Sequence, residues 1–329
     1  MKPASMAVRE ENKMTRKNQA AVRVMAIGFL VSTLSPGPSA LFAASGKSGA
    51  GFLQVGVGAR ASGMGGAFGA ISDDVSAIYW NPAGLSSLQK KEINLSINAY
   101  IKDTSSQFLA FAMPWGESCA LGVGVNMLSV KDIEKRSTTD SSDTADGGTF
   151  KTSDMALSLA FAHKFSMGSG NLHWGVALKN VSSDLGTESA SSIALDGGVK
   201  YAEEEGGLSA SLAVVNLGGE LKFVDVGDSL PMTVKPGVAY RMNLGETKLI
   251  AALDIDLLLN DGETRARPGV EWWVKDMLAV RAGLEAGRDA GGGFSAGVGF
   301  KQEFLGIDYG ISPYGDLGTS HRISISYRF

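Results

Sequence analysis

The chain has 329 residues, including 43 glycines and 9 prolines, with 44% hydrophobic residues, 19% charged residues and a formal net charge of −4. Its one cysteine, Cys119, excludes an intramolecular disulfide framework and a four-thiolate metal site. Three histidines leave little room for a histidine-rich metal centre, and the lack of a long basic run argues against nucleic acid as a partner. The composition therefore predicts neither a cofactor nor an enzyme.

The first 44 residues have the three-part pattern of a secretory signal peptide. Basic residues precede an apolar stretch of 11 residues, Val24–Leu34, and a small-residue segment follows at Ala43 and Ala44. Cleavage is expected after Ala43 or Ala44. The apolar stretch is too short for a membrane-spanning helix, which needs about 20 residues. The sequence therefore predicts an exported protein.

The rest of the chain divides near residue 90 into two parts of different texture. Residues 45–90 are rich in small residues and show no periodic pattern. From residue 91 to residue 329, large apolar residues alternate with small or polar ones, which places the two sets on opposite faces of a strand. Fourteen such segments are predicted, at 92–101, 105–113, 119–130, 154–165, 172–181, 192–202, 208–217, 232–241, 247–258, 265–274, 278–286, 293–301, 305–312 and 320–329.

Several features favour a membrane barrel over a soluble β-sandwich, which would show the same alternation. The segment number is even, and the segments approach the ~10 residues with which a tilted strand crosses a bilayer. Short and long connections mostly alternate, as in up-and-down barrels. Charges in the middle of the polar faces would line a wet lumen: Asp196, Lys200, Asp254, Asp256, Arg281, Glu285 and Asp308. We therefore predict an all-β fold, a transmembrane antiparallel β-barrel of about 14 strands.

Two blocks, Val57–Phe68 and Ser76–Leu85, resemble the amino-terminal signature of the PorV/PorQ family of outer-membrane proteins, which is related to FadL-type long-chain fatty-acid transporters. The runs 307–309, 316–318 and 321–324 are also similar to this family. The resemblance implies a bacterial outer-membrane barrel at 91–329, in contact with outer-membrane lipid, with an amino-terminal hatch at 45–90 inside its lumen. Tyr327 and the terminal Phe329 resemble the signal read by the barrel-assembly machinery.

The hatch contains the strongest local pattern, in which an Asn-Pro pair starts a turn. Either this segment anchors the hatch to the wall, or it gates a path through the barrel. The candidate residues are Asp73, Asp74, Tyr79, Trp80, Asn81, Pro82, Gly84 and Leu85.

Charged residues of the predicted lumen are expected to form ion pairs between hatch and strands, because buried charges need partners. The candidates are Asp254, Asp256, Arg281, Asp308 and Arg322, together with Lys200, Lys235, Arg241 and Glu271. Residues 56–61 match a dinucleotide fingerprint only weakly. Residues 131–153 are predicted as a solvated loop, and His163 and His321 as structural or interface residues. An interfacial aromatic girdle is predicted from Trp115, Trp174, Tyr240, Trp272, Trp273 and Tyr327.

Two functions remain open from the sequence. The resemblance implies an interaction or shuttle component for protein secretion and surface attachment of the type IX kind, with secreted cargo proteins as partners. The alternative is a FadL-like channel for hydrophobic small molecules. The longest predicted connection is polar, which favours the first function over capture of an acyl chain.

Overall fold

Fourteen strands close into an antiparallel barrel in the computed structural model, which describes residues 48–135, 148–204, 206–288 and 290–329. The predicted signal peptide and its cleavage site lie outside these residues. The barrel confirms the predicted fold class. In chain order the strands are β1 Glu92–Ala99, β2 Thr104–Trp115, β3 Cys119–Glu134, β4 Thr149–Met167, β5 Gly170–Asp184, β6 Ser189–Glu203, β7 Gly207–Gly218, β8 Glu220–Lys222, β9 Gly227–Ser229, β10 Thr233–Leu244, β11 Thr247–Leu258, β12 Glu263–Val274, β13 Leu278–Leu284, β14 Phe294–Lys301, β15 Leu305–Pro313 and β16 Thr319–Arg328.

Barrel strands pair with their sequence neighbours, with two departures. Strands β8 and β9 form a separate two-stranded hairpin, so that β7 pairs directly with β10. Strand β1 pairs with β16 and closes the barrel, with Glu92 opposite Arg328. The backbones of Lys91 and Phe329 extend this pairing through two hydrogen bonds, of 3.1 and 3.0 Å. The sheet therefore has no free edge, as a bilayer requires.

The predicted loop at 131–153 is wrong at both of its ends. Strand β3 continues to Glu134 and β4 starts at Thr149, and Ile133 pairs with Phe150 beyond a register shift that follows Val130. The bulge lets the ladder continue past the point where the alternating pattern ends. Glu285 likewise follows β13 instead of lying within it.

The two ends of the barrel differ in their connections. Between successive strands, one end has only two- or three-residue connections, such as 116–118 and 245–246, and the chain also terminates there. The other end carries the longer connections, including the β8–β9 hairpin. In membrane barrels the short turns face the periplasm and the long loops face outside. We call these two ends the turn end and the loop end.

The two faces of the wall have opposite chemistry. On β16, Ile323 and Ile325 are about half exposed, whereas Arg322, Ser324 and Ser326 are buried. An apolar outer band around a polar interior is what a membrane barrel presents to lipid. Among the described residues, no helix is both long enough and apolar enough to cross a membrane.

Two members of the predicted aromatic girdle need correction. Trp273 points into the barrel and is 9% exposed, because it neighbours the outward-facing Trp272 and side chains alternate along a strand. Tyr240 occupies an outward register on β10 but is only 8% exposed. The remaining four are exposed side chains: Trp115, Trp174, Trp272 and Tyr327.

The amino-terminal segment, residues 48–91, packs against inward-facing side chains from several sides of the barrel. It consists of short pieces because glycines with positive φ, such as Gly58 at 79° and Gly66 at 83°, interrupt regular structure. These pieces are the 3₁₀ helix Gly51–Gln54, the α-helices Ala59–Gly63 and Ala77–Trp80, and the 3₁₀ helix Pro82–Ser87. A further 3₁₀ helix, Gly315–Leu317, lies at the loop end between β15 and β16.

Two apolar clusters hold this segment. The larger includes Met64, Phe68, Ile78 and Leu85, each at most 1% exposed. The smaller joins Phe52 and Leu53 of the segment to Leu221 of β8 and to Leu230, which directly follows β9. The hairpin is therefore fastened to the interior segment at the loop end.

Candidate functional site

The Asn81–Pro82 turn is held by both backbone and wall. Asn81 is extended, with φ −162° and ψ 105°, and its Oδ1 accepts a hydrogen bond from the Ala83 amide at 3.1 Å. Its Nδ2 donates to the carbonyl oxygens of Gly69 at 3.4 Å and Val199 at 3.3 Å. Because Val199 belongs to β6, one amide group caps the following 3₁₀ helix and also ties the turn to the barrel.

Glycines of the wall make room for this turn. Gly175 on β5 and Gly198 on β6 are cross-strand partners. A Cβ at Gly175 would collide with the backbone of Pro82 and Ala83, and one at Gly198 would collide with Asn81 Oδ1. Gly84, another candidate, leaves no space for a Cβ against the Ser72 carbonyl oxygen. These contacts pack the turn closely against the wall.

Tyr79 and Trp80 connect the turn to the start of the segment. The Tyr79 hydroxyl donates to the Leu53 carbonyl oxygen at 2.6 Å and accepts from the Gly56 amide at 3.0 Å. Burial raises the pKa of Tyr79 to about 12, so the phenol stays protonated near neutral pH. Trp80 Nε1 donates to the Val57 carbonyl oxygen at 3.1 Å. Leu85, fully buried, completes the packing against β3 near Gly122.

Arg60 joins the candidate carboxylates Asp73 and Asp74 to the barrel wall. Its Nε and Nη2 each donate to the carboxylate of Glu271 on β12 at 2.8 Å, a bidentate pair. Its Nη1 donates to Asp73 and, at 3.2 Å, to Asp74. Arg241 on β10 reaches the other oxygen of Asp73 at 3.2 Å. Ion pairs thus bind the segment to two strands, β10 and β12.

The charged groups around Asp73 lower its pKa. Burial by itself would raise the pKa of Asp73, but the guanidinium groups of Arg60 and Arg241 hold it well below its usual range. Asp74 adds a local contact, since its Oδ1 accepts from the Ser76 amide at 2.9 Å.

The predicted lumen charges Arg281 and Asp308 belong to the same network. Arg281 Nε donates to Glu271 at 2.7 Å, and its Nη1 donates to Asp308 at 2.7 Å. The Arg281 guanidinium also lies over the inward-facing ring of Trp273, 5.4 Å from its centre. Strands β12, β13 and β15 are therefore linked through one buried arginine.

A second group surrounds Asp254 and Asp256 on β11. Asp254 Oδ2 accepts the amides of Phe68, at 2.9 Å, and Gly69, so this carboxylate binds backbone of the segment. Asp256 pairs with Arg267 at 2.8 Å and Lys235 at 3.3 Å. These carboxylates therefore hold the segment and brace neighbouring strands.

Further tethers come from the remaining sides of the wall. Lys200 on β6 donates to the carbonyl oxygens of Ile71 at 3.2 Å and Ser72 at 2.9 Å. His173 on β5 shares a 2.8 Å hydrogen bond with Ser86. At the opposite side, the Ala59 amide donates to Ser324 on β16 at 2.8 Å.

Two polar cavities lie at opposite ends of the interior. The cavity at the turn end measures about 190 Å³ and borders Arg60, Asp73, Asp74 and Arg281. The cavity at the loop end measures about 260 Å³ and borders Trp80, Arg267 and the remaining predicted lumen charge, Arg322. Phe68 and Ile78 border neither cavity and belong to the larger apolar cluster.

Several members of the network were not predicted. Arg60 was considered only within a glycine-rich motif, although a long charged side chain among small buried residues needs a carboxylate partner. Arg267 falls in phase with Glu271 on the polar face of β12, and this spacing could have identified it. His173 carries no comparable signal. His163 and His321, which were predicted as structural or interface residues, stack on aromatic rings: the ring centroids are 6.2 Å apart for His163 and Trp174 and 6.2 Å apart for His321 and Tyr309.

The proposed assembly signal lies on the outer face at the turn end. Tyr327 and Phe329 are about half exposed and stack on each other at 5.7 Å. Phe329 also stacks near Phe111 of β2 at 6.4 Å. The terminal aromatic pair therefore covers the seam where β16 meets β1.

Known proteins that are similar to this chain have the same barrel architecture. A family profile described as type IX secretion system protein PorV matches residues 45–262. The solved structure of a Pseudomonas aeruginosa FadL homologue is similar over 83% of this chain and 98% of that one, with 12% identity and a TM-score of 0.53. The Pseudomonas putida toluene transporter TodX is similar over the same shares, with 13% identity and a TM-score of 0.56. Comparison with curated protein sequences gives no match.

The two solved structures have low sequence identity to this chain, so the similarity shows a shared barrel fold. The profile covers more than half of the chain and includes both amino-terminal blocks. The chain belongs to the PorV family of type IX secretion system proteins and is a β-barrel of the bacterial outer membrane.

Proposed function

We propose that this barrel is an interaction or shuttle component that handles exported proteins at the outer face of the outer membrane, and that it binds its partners without catalysing a reaction. Family membership supports a place in type IX secretion. The partners we propose are secreted cargo proteins, and the barrel-assembly machinery during insertion.

The filled interior carries this proposal. Tethers from β5, β6, β10, β11, β12 and β16 hold the amino-terminal segment, and both end cavities are lined by charged side chains. A path for hydrophobic small molecules calls for a mostly apolar lining. The interior therefore favours a hatch that stays in place, with partner binding on the exposed rim.

The β8–β9 hairpin offers such a surface at the loop end. Its tip exposes Val224 by 69% and Val226 by 81%, while Leu221 and Leu230 beside it are buried. The buried pair fixes the hairpin, so the tip is presented on a firm base. Exposed apolar residues that protrude from a fixed element suit contact with another protein.

Site-specific crosslinking from Val226 tests this role. A photoreactive residue at that position, activated in the host cell, is expected to capture an exported protein that mass spectrometry identifies after detergent extraction. Val224→Asp should abolish the capture, because it places a charge at the apolar contact. Asp225→Asn in the same tip is the matched control and should leave the capture intact.

The opposite result would favour the channel alternative. If the barrel is recovered without protein partners, and lipid or another hydrophobic molecule co-purifies with it, the proposed secretion role is wrong. Attention would then turn to Asn81 and Pro82 as gate residues.

A further inference from the structure

Arg322 is a buried cation that forms no ion pair with a carboxylate of the described residues. It points inward from β16 and is 5% exposed. Its Nη2 donates to the Val55 carbonyl oxygen at 3.4 Å, and to the Asn98 side-chain oxygen at 2.8 Å in the amide orientation that satisfies both groups. Within the described residues, no ion pair includes Arg322, and neither its Nε nor its Nη1 has a hydrogen bond.

The other inward arginines differ from Arg322 in this respect. Arg60, Arg267 and Arg281 each bind at least two carboxylates. A buried charge costs several kcal/mol of desolvation unless partners repay it. Neutral oxygens alone compensate Arg322 poorly, so its unbonded nitrogens are suited to an incoming anion.

The cavity that Arg322 borders is positively charged overall. Its other lining cations are Arg265, Arg267 and Arg288. Its lining carboxylate, Glu285, is already 2.7 Å from Arg267 and 3.7 Å from Arg265. Arg288 instead donates to the carbonyl oxygens of Pro313 and Ala290. Both Arg322 and Arg288 therefore contribute charge that no described carboxylate neutralises.

Aromatic rings give the cavity a second kind of contact. Tyr100 and Tyr314 meet edge to face at 5.2 Å, and the Arg288 guanidinium lies 4.0 Å above the Tyr314 ring. Trp80 borders the same space. The volume of about 260 Å³ is below the ~300–1,000 Å³ of pockets for drug-sized ligands, so it suits one small unit.

We propose that the loop-end cavity binds a small oxyanion, a phosphate or carboxylate carried on a sugar-sized body, with Arg322 as the main contact of the anion. Arg288 approaches the anion from the rim, and the tyrosine and tryptophan rings contact the attached body. This site is separate from the hairpin tip and does not depend on the role in secretion.

Binding to the purified barrel in detergent tests the site. Glucose 6-phosphate, glucuronate and inorganic phosphate are titrated by calorimetry in chloride-free buffer, with glucose as the neutral control. We expect saturable binding of at least one of the three anions and none of glucose. Glucose 6-phosphate should bind more tightly than inorganic phosphate, because the aromatic rings contact its sugar; equal binding of the two would contradict the attached body. No saturable anion binding, or equal binding of glucose, would overturn the proposal.

Substitutions then locate the site. Arg322→Gln keeps a donor for the Val55 and Asn98 oxygens and should weaken anion binding by about tenfold or more, since charged hydrogen bonds contribute about 1.5–3 kcal/mol. Lys275→Gln, exposed at the turn end, should have no effect. Folding is checked by the heat-dependent shift in electrophoretic migration. If Arg322→Gln does not fold, Arg288→Gln takes its place in the test and should also weaken anion binding. Unchanged affinity in a folded variant contradicts the assignment.

Discussion

Single glycines in the wall decide how closely the Asn81–Pro82 turn approaches it. A methyl group at Gly175 would meet the backbone of Pro82 and Ala83, which other contacts already fix. We expect Gly175→Ala to cost about 1–3 kcal/mol of unfolding free energy, as overpacking does. The measurement is the denaturant midpoint of the barrel in detergent, followed by its electrophoretic shift.

The adjacent strand supplies the matched control for this substitution. A Cβ at Gly197 would meet no atom of the described residues within 4 Å. Gly197→Ala should therefore change the unfolding free energy by no more than about 0.5 kcal/mol. Equal losses for both variants would mean that the turn yields to the wall and is not an anchor.

Asp73 should make stability depend on pH in the acid range. Its folded pKa is lowered by Arg60 and Arg241, so its contribution is complete above the unfolded pKa of about 3.9 and is lost as pH falls through the lower folded pKa. Between these limits the unfolded chain binds more protons. Asp73→Asn should flatten the decline of the unfolding midpoint as the pH falls below about 4. Asp225→Asn, on the exposed hairpin, should retain the wild-type slope.

For single residues, the sequence predicts which face of the wall a side chain occupies better than it predicts which groups that side chain contacts. Alternation alone places Asp254, Asp256 and Arg322 on the inward face. It does not reveal that Asp254 accepts two amides of the segment, or that Arg322 pairs with no carboxylate in the part of the chain that the structure describes. Those contacts depend on how an aperiodic, glycine-rich segment folds inside the barrel, and no periodic pattern encodes that path.

Among whole elements, the last strand has the clearest separate role. Phe329 pairs with Lys91 through two backbone hydrogen bonds and stacks with Tyr327 and Phe111 at the seam. Deleting Phe329 should lower the amount of folded barrel in the outer membrane, because both the closing pairs and the terminal aromatic residue are lost. Quantitative blotting of membrane fractions measures this.

A conservative change separates the two contributions of this residue. Phe329→Tyr keeps the backbone pairs and an aromatic ring, so it should restore the level. Wild-type levels after deletion would exclude Phe329 as an assembly signal.

Strands are also the elements that could be predicted. Strand β11 has the predicted bounds, 247–258, because each strand of the wall must alternate to separate lipid from lumen. The hairpin was missed because β8 and β9 have three residues each, too few for a visible period, and they lie outside the closed sheet. The extension of β3 and β4 was missed for a related reason, since the bulge after Val130 breaks the alternation.

For the molecule as a whole, the decisive question is whether the segment stays in the lumen. Its tethers come from well-separated strands of the barrel, including Lys200 on β6 and Ser324 on β16. Removing one tether leaves the others in place, so a single substitution should not free the segment from the lumen. Only deletion of the segment should open the interior. The wild-type barrel in a planar lipid bilayer should therefore conduct ions poorly.

Deleting residues 48–88 removes the segment that packs against the inward face of the wall, and should open a water-filled path because that face is polar. We expect stable, stepwise conductance from the deletion variant and none from Lys275→Gln, which changes an exposed charge only. Circular dichroism checks that the strands of the deletion variant still form. Porin-like conductance from the wild-type barrel would mean that the segment leaves the lumen readily, and the interior would then serve transport after all.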